Sequence, residues 1–309
     1  MNKHVLLLFL DGVGIGPDVP QSNPFAHAVL PTLDRCLGEG WQFSQRAQFG
    51  DLASFIPTDA TLGVEGIPQS ATGQATIITG KNIPSLIGRH WGPWPNAEIR
   101  RYLTEDNLFN MVSAEGGTVA LLNAYPQAYF DAISRRRRSY SVFPFIEVSS
   151  GQGLFTVADL RAGRAISPNF TNQDWRDQLN ITDLPLMTQR EAGQHITTLA
   201  QEYTFSFIDH WPTDHIGHRG TLETAVKQLE HIDAVLAGIL SNWDYENGLL
   251  IITSDHGNIE DLSQRRHTEN PVPTILIGRD HAHLAPHIHD LTDIAKVVKQ
   301  FLGYTASVG

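Results

Sequence analysis

Val5-Leu6-Leu7-Leu8-Phe9-Leu10-Asp11-Gly12 is the stretch that decides the fold. An unbroken apolar run with no polar alternation predicts a strand buried on both faces, as in a parallel sheet. Its abrupt end at Asp-Gly places a turn, and a carboxylate, at the strand's C-terminal edge. The pattern recurs downstream. Tyr203–Ile208 is apolar and runs into Asp209, and Leu249–Thr253 is followed by Ser254 and Asp255. Thr118–Leu122 and Thr274–Ile277 complete a set of five expected strands. Between them, Leu222, Val226, Leu229, Ile232, Leu236 and Ile239 recur at helical spacing, and Leu291, Ile294, Val298 and Phe301 mark a C-terminal helix. Ser70–Thr79 is expected as a further helix. Strands alternating with helices predict an α/β fold with a mainly parallel sheet flanked by helices. In such sheets ligands bind outside the carboxyl ends of the strands, where these aspartates fall.

The segment 126–189 breaks this pattern. It is rich in Arg, Ser, Asn and Gly, weakly periodic, and contains Arg135-Arg136-Arg137-Arg138. It is expected to be a small cap inserted into a core made of 1–125 and 190–309. The arginine run reads either as a solvated charged face or as a clamp. In the second case one or two guanidinium groups reach down to a phosphate or carboxylate of the substrate.

Within the core, the residue types suit metal-assisted chemistry. Asp214 and His218 are four apart, so on a helix they share one face, with Cβ atoms roughly 6 Å apart. His215 would point away from that face, and His210 is a nearby competitor. Asp255 and His256 follow a strand at a turn eased by Gly257. Asp11 supplies a carboxylate at the first strand end, and His267 adds an imidazole. Ser70 opens a helix, where it is either an N-cap or a nucleophile favoured by the positive end of the helix dipole. Thr72 is the alternative hydroxyl. Carboxylates and imidazoles around a hydroxyl form a suitable ligand set for two divalent cations.

Together these motifs resemble the alkaline phosphatase superfamily of metalloenzymes. The nearer likeness is to the branch of cofactor-independent phosphoglycerate mutase and phosphopentomutase. Asp11-Gly12 is similar to that family's first metal ligand. Ser70-Ala71-Thr72-Gly73 is similar to the start of the nucleophile segment S-x-x-G-H, and Asp214–His218 to D-x-x-G-H. Thr253–Asn258 is similar to T-A-D-H-G-N, and His267–Pro273 to H-T-x-x-N-P-V-P with one residue fewer. Pro31-Thr32-Leu33-Asp34 loosely resembles an early T-P-x-L-D segment. The resemblance implies that Asp11, Ser70, Asp255 and His256 surround one metal, Mn²⁺ or Zn²⁺. Asp214, His218 and His267 then bind the other, and Ser70 attacks phosphorus. The mutase carries a large inserted domain and a histidine four residues after its serine; this chain has a short insert and Gln74. Sulfatases require Pro and Arg where Thr72 and Gln74 stand, which argues against a sulfatase.

The expected function is therefore two-metal phosphoryl transfer through a phosphoserine, with hydrolysis of a small phosphate ester. The alternatives are a phosphomutase acting on a phosphosugar or phospho-hydroxy acid, and a degenerate member that only binds metal or phosphate. A net charge of −11 over 309 residues argues against nucleic acid or an anionic membrane as partner. Cys36 is the single cysteine, so no intramolecular disulfide forms. The Val5–Leu10 run is too short for a signal-peptide core or a membrane span, and a cytoplasmic location is expected.

Overall fold

A computed structural model describes residues 3–304. Met1, Asn2 and 305–309, which the expected core boundaries include, lie outside the described residues. In chain order the strands are β1 His4–Leu10, β2 Gln48–Phe49, β3 Ala53–Thr58, β4 Val119–Leu121, β5 Ala124–Tyr125, β6 Phe155–Thr156, β7 Phe205–His210, β8 Gly248–Thr253 and β9 Val272–Ile277. Seven of them form one sheet in the order β2-β3-β9-β8-β1-β7-β4, and β5 pairs with β6. The centre is parallel: β1 lies between β7 and β8, and β4 runs parallel to β7. β9 is antiparallel to β8 and to β3, and β2 is antiparallel to β3. The fold is the expected α/β type, a mostly parallel sheet between layers of helices.

All seven residues of β1 are buried, as its lack of alternation requires. Val5, Leu7 and Phe9 enter one apolar layer, with helices Ser70–Thr79 and Thr292–Leu302. Leu6, Leu8 and Leu10 enter the other, with helices Gln189–Ala200 and Leu222–Ser241. The third expected strand is shifted: it covers Phe205–His210, so Asp209 lies inside it rather than after it. β3 was not evident in the sequence, where Pro57 interrupts a short run; in the register Pro57 sits opposite Pro273.

Two consequences of this topology build the site. The C-terminal ends of β7, β1 and β8 are neighbours, so the residues after them share one edge. Because β9 is antiparallel to β8, its first residue arrives at that same edge, and β3, antiparallel to β9, ends there. The loops after β3 and before β9 carry Ser70 and His267.

Within the segment expected to form a cap, two parts are distinct. Helix Val142–Ser149 packs into the main core: Phe143 lies 4.1 Å from Phe207 and 5.0 Å from Phe9, ring centre to ring centre. Its apolar residues Val142, Phe143 and Ile146 make it a core helix. The part with its own small apolar cluster is built from Leu160, Ala165, Trp175 and Leu184, with Ala124. Ile166 ties it to the sheet edge, its amide donating to the Leu122 carbonyl at 2.9 Å.

Glu147, on that core helix, is buried and accepts the Leu121 amide at 3.2 Å. Burial pushes its carboxyl up from 4.5 to about 8. The folded state thus prefers the protonated form, and stability present below pH 4.5 is lost as pH rises toward 8. At about 1.4 kcal/mol per unit, the loss is on the order of 3 kcal/mol at neutral pH. Glu147→Gln should match the native chain in urea unfolding at pH 4 and exceed it increasingly from pH 5 to pH 8.

Candidate metal centre and nucleophile

Asp11 follows β1 directly, and Gly12 turns the chain there with φ +68°, in the left-handed region. A Cβ at Gly12 would lie 2.8 Å from Asp214 Oδ1, so this glycine lets the β1 loop press against the second motif. Asp214 lies in helix Pro212–Arg219, held to the β1 loop by Thr213, whose hydroxyl donates to the Asp11 carbonyl at 2.6 Å. His218 is one turn on, with Nε2 3.3 Å from Asp214 Oδ1, so the four-residue spacing does place both groups on one face. His215 is exposed, edge-on to Trp211. His210 is buried and fully engaged, with the Pro168 carbonyl at 2.8 Å and the Gln228 amide at 2.9 Å.

His267 completes the first group. Its Nε2 lies 3.1 Å from His218 Nε2 and 3.6 Å from Asp214 Oδ1. The opposite nitrogens decide the chemistry. His218 Nδ1 faces the Arg265 carbonyl at 2.9 Å, and His267 Nδ1 faces the Pro68 carbonyl at 2.9 Å. A carbonyl only accepts, so both Nδ1 atoms carry protons and the neutral rings point their Nε2 lone pairs at each other. Two lone pairs at that distance repel unless a cation lies between them. Tying the remote ring nitrogen to a carbonyl is also how metal-binding histidines are oriented.

The second group surrounds His256. Its Nε2 is 3.6 Å from Asp11 Oδ1, 3.6 Å from Asp255 Oδ2 and 3.1 Å from Ser70 Oγ. Asp11 Oδ1 is buried without a hydrogen-bond partner, an orphaned acceptor that a cation would satisfy. Ligand atoms of Asp11, Asp214 and His256 all come within 4.8 Å of one another, as do those of Asp214, His218 and His267. Asp214 therefore borders both groups. The rings of His256 and His267 stack at 3.6 Å, which joins the two into one cluster.

The electrostatics are those of a centre built for positive charge. Burial, then Asp255 and Asp214, push the Asp11 carboxyl well above the ordinary range. Burial first and Asp214 next push Asp255 up to about 8. Burial, then His267, hold His256 well below the usual imidazole range, and burial lowers His267. Each shift removes charge from the protein groups; divalent cations would reverse the carboxylate shifts and favour the same neutral imidazoles. The residues present thus fit two divalent cations.

Ser70 is the first residue of helix Ser70–Thr79, and the N-cap position belongs to Gln69. The capping role is therefore corrected: the Ser70 hydroxyl turns to His256. Thr72 is fully buried, its hydroxyl donating to the Gln69 carbonyl at 3.0 Å and reaching the Trp91 carbonyl at 3.3 Å, so it anchors a loop. A Cβ at Gly73 would meet the Asp255 carbonyl at 2.8 Å, so the helix start rests directly on the Asp255 loop.

Arg135, Arg136, Arg137 and Arg138 are all exposed at the end of helix Gln127–Ser134. Arg138 lies over the Tyr129 ring at 4.8 Å. Among the described residues, none of the four hydrogen-bonds or ion-pairs with the cluster.

Three residues escaped the sequence reading. Asn258 donates to Asp214 Oδ1 at 2.7 Å, and a place within the Asp-His-Gly-Asn motif was its only signal. Glu260 is buried and accepts from the Gly14 amide at 2.9 Å, the Asn258 amide at 2.8 Å, the Asn270 side chain at 3.0 Å and the Thr268 hydroxyl. It locks the loops after β1 and β8 to the His267 loop. Gln74 donates to Asp255 Oδ2 at 3.0 Å.

The family model described as Metalloenzyme superfamily matches residues 178–306, which carry Asp214, His218, Asp255, His256 and His267. The superfamily resemblance extends to curated relatives: a 2,3-bisphosphoglycerate-independent phosphoglycerate mutase of Methylobacillus flagellatus is 31% identical over 112 residues. That match covers 34% of this chain and 22% of the relative, so this chain spans only about a fifth of that protein. Two solved structures share the fold over all or nearly all of the chain. Alkaline phosphatase from the Antarctic bacterium TAB5 has a TM-score of 0.56 at 12% identity, covering 99% of this chain and 100% of that one. Leishmania mexicana phosphoglycerate mutase has a TM-score of 0.51 at 13% identity, covering 100% and 96%. Among the described residues, no helix is long and apolar enough to cross a membrane.

Proposed function

We propose that this chain is a two-metal phosphoryl-transfer enzyme that forms a phosphoserine at Ser70 and hydrolyses a small phosphate ester. The observation that carries the reading is the Ser70 hydroxyl: free of helix capping, it lies 3.1 Å from His256 Nε2 inside the ligand cluster. Asp214, His218 and His267 would hold one cation, and Asp11, Asp255, His256 and Ser70 the other. When bound, such a pair neutralises the attacking and leaving oxygens of an in-line displacement. The protein's own part is positioning. The first helical residue presents Ser70 at the positive end of a helix dipole, which favours its alkoxide. Asn258, Glu260 and Thr213 fix the loops, so little reorganisation accompanies reaction. The bond from Ser70 Oγ to phosphorus forms as the ester oxygen departs, and water then cleaves the phosphoserine.

Turnover of phosphomonoesters and diesters with Mn²⁺ or Zn²⁺ added tests the reading. Metal-dependent release of phosphate supports it, and absence of turnover on every ester with both metals counts against it. The second reading, a phosphomutase, is favoured by the mutase relatives; an isomerised phosphosugar or phospho-hydroxy acid in place of free phosphate would establish it.

The Arg135–Arg138 run remains the candidate anion clamp. As a clamp, its replacement by Gln should raise KM for an anionic ester severalfold with metal content unchanged. Unaltered KM would assign the run to solvated surface.

A further inference from the structure

Gln74 lies four residues after Ser70, one helical turn along the same face, and is buried against the cluster. Its side-chain nitrogen lies 3.0 Å from Asp255 Oδ2 and 3.5 Å from Asp11 Oδ2. Ionised, as a bound cation would hold them, both carboxylates only accept, so the amide presents its two N–H groups to them. One neutral side chain thus ties together two carboxylates from neighbouring strand ends, which otherwise repel each other and Asp214. It occupies the Oδ2 of Asp11 and leaves Oδ1, the orphaned oxygen, beside His256 Nε2.

We propose that Gln74 is the positioning residue of the second cation site, holding Asp11 and Asp255 in the orientation that binds the metal. The inference rests on the two-metal reading above. An amide suits this role for a physical reason. It satisfies two carboxylates without adding a positive charge, whereas a lysine or arginine in the same place would neutralise them and compete with the cation. Outer hydrogen-bonding partners of metal ligands contribute about 10–100-fold to metal affinity.

The test is calorimetric titration of the full chain, stripped of metal, with Mn²⁺. The native chain should take up two cations. Gln74→Met, which fills similar volume without the amide, should weaken one of them by about 10–100-fold and leave the other unchanged. Gln74→Asn, which keeps the amide but is one methylene too short to span both carboxylates, should show the same one-sided loss and stands in if Gln74→Met does not fold. Gln74→Lys should lower the stoichiometry to one. A generally loosened fold would weaken both sites, so equal loss at both overturns the proposal, as does unchanged affinity at both in Gln74→Met or Gln74→Asn. A native chain that takes up no cation overturns the two-metal reading itself, and that failure is visible before any variant is made.

Discussion

Ser70→Ala folds, keeps the cation held by Asp214, His218 and His267, and loses phosphoryl transfer by at least ~10²-fold, the low end of what loss of a reacting group costs. The hydroxyl caps no helix and meets His256 in the cluster, so its removal leaves no helix end uncapped. The covalent route disappears with it. Thr72→Ala gives the contrasting result. The Thr72 hydroxyl holds the Gln69 and Trp91 carbonyls, so its loss lowers stability by about 1 kcal/mol and leaves the chemistry within a few-fold. Stalling the enzyme on a phosphate ester and locating the added mass on a peptide distinguishes the two hydroxyls. Phosphate on Thr72, or full activity in Ser70→Ala, would overturn the assignment; the latter would point to direct attack by water.

Removing metal has the second large effect. The native chain should bind two divalent cations, measured by elemental analysis after dialysis, and a strong chelator should abolish turnover until Mn²⁺ or Zn²⁺ is returned. His218→Ala should retain one cation, because its Nε2 serves only the Asp214–His267 group. Asp214→Ala should weaken both, because its carboxylate borders both groups. Two cations retained in His218→Ala, or ligands outside the named set in a metal-loaded structure, would refute the assignment. The expected size is set by position. The first site loses one of its three ligands.

The local requirements of the site were legible in the sequence. The unbroken Val5–Leu10 run could be buried only by a sheet covered on both faces, and its ending in Asp-Gly forced a carboxylate to the strand's edge. The four-residue spacing of Asp214 and His218 fixed a shared helical face, because helical pitch is a local property. What brought distant motifs together was not local. His267 reaches the cluster because β9 runs antiparallel to β8, and strand direction is set by partners the sequence does not name. β3, which leads to Ser70, was hidden by Pro57 in a short run. The role of Ser70 depended on whether a helix began at it or just after it. That one-residue difference frees the hydroxyl for His256. Glu260 looks like an ordinary polar residue in the chain, and Gln74 stands out there only as a departure from the family's histidine. Only the folded molecule shows Gln74 against two carboxylates and Glu260 holding three loops, because a buried hydrogen bond depends on what the rest of the fold places opposite it.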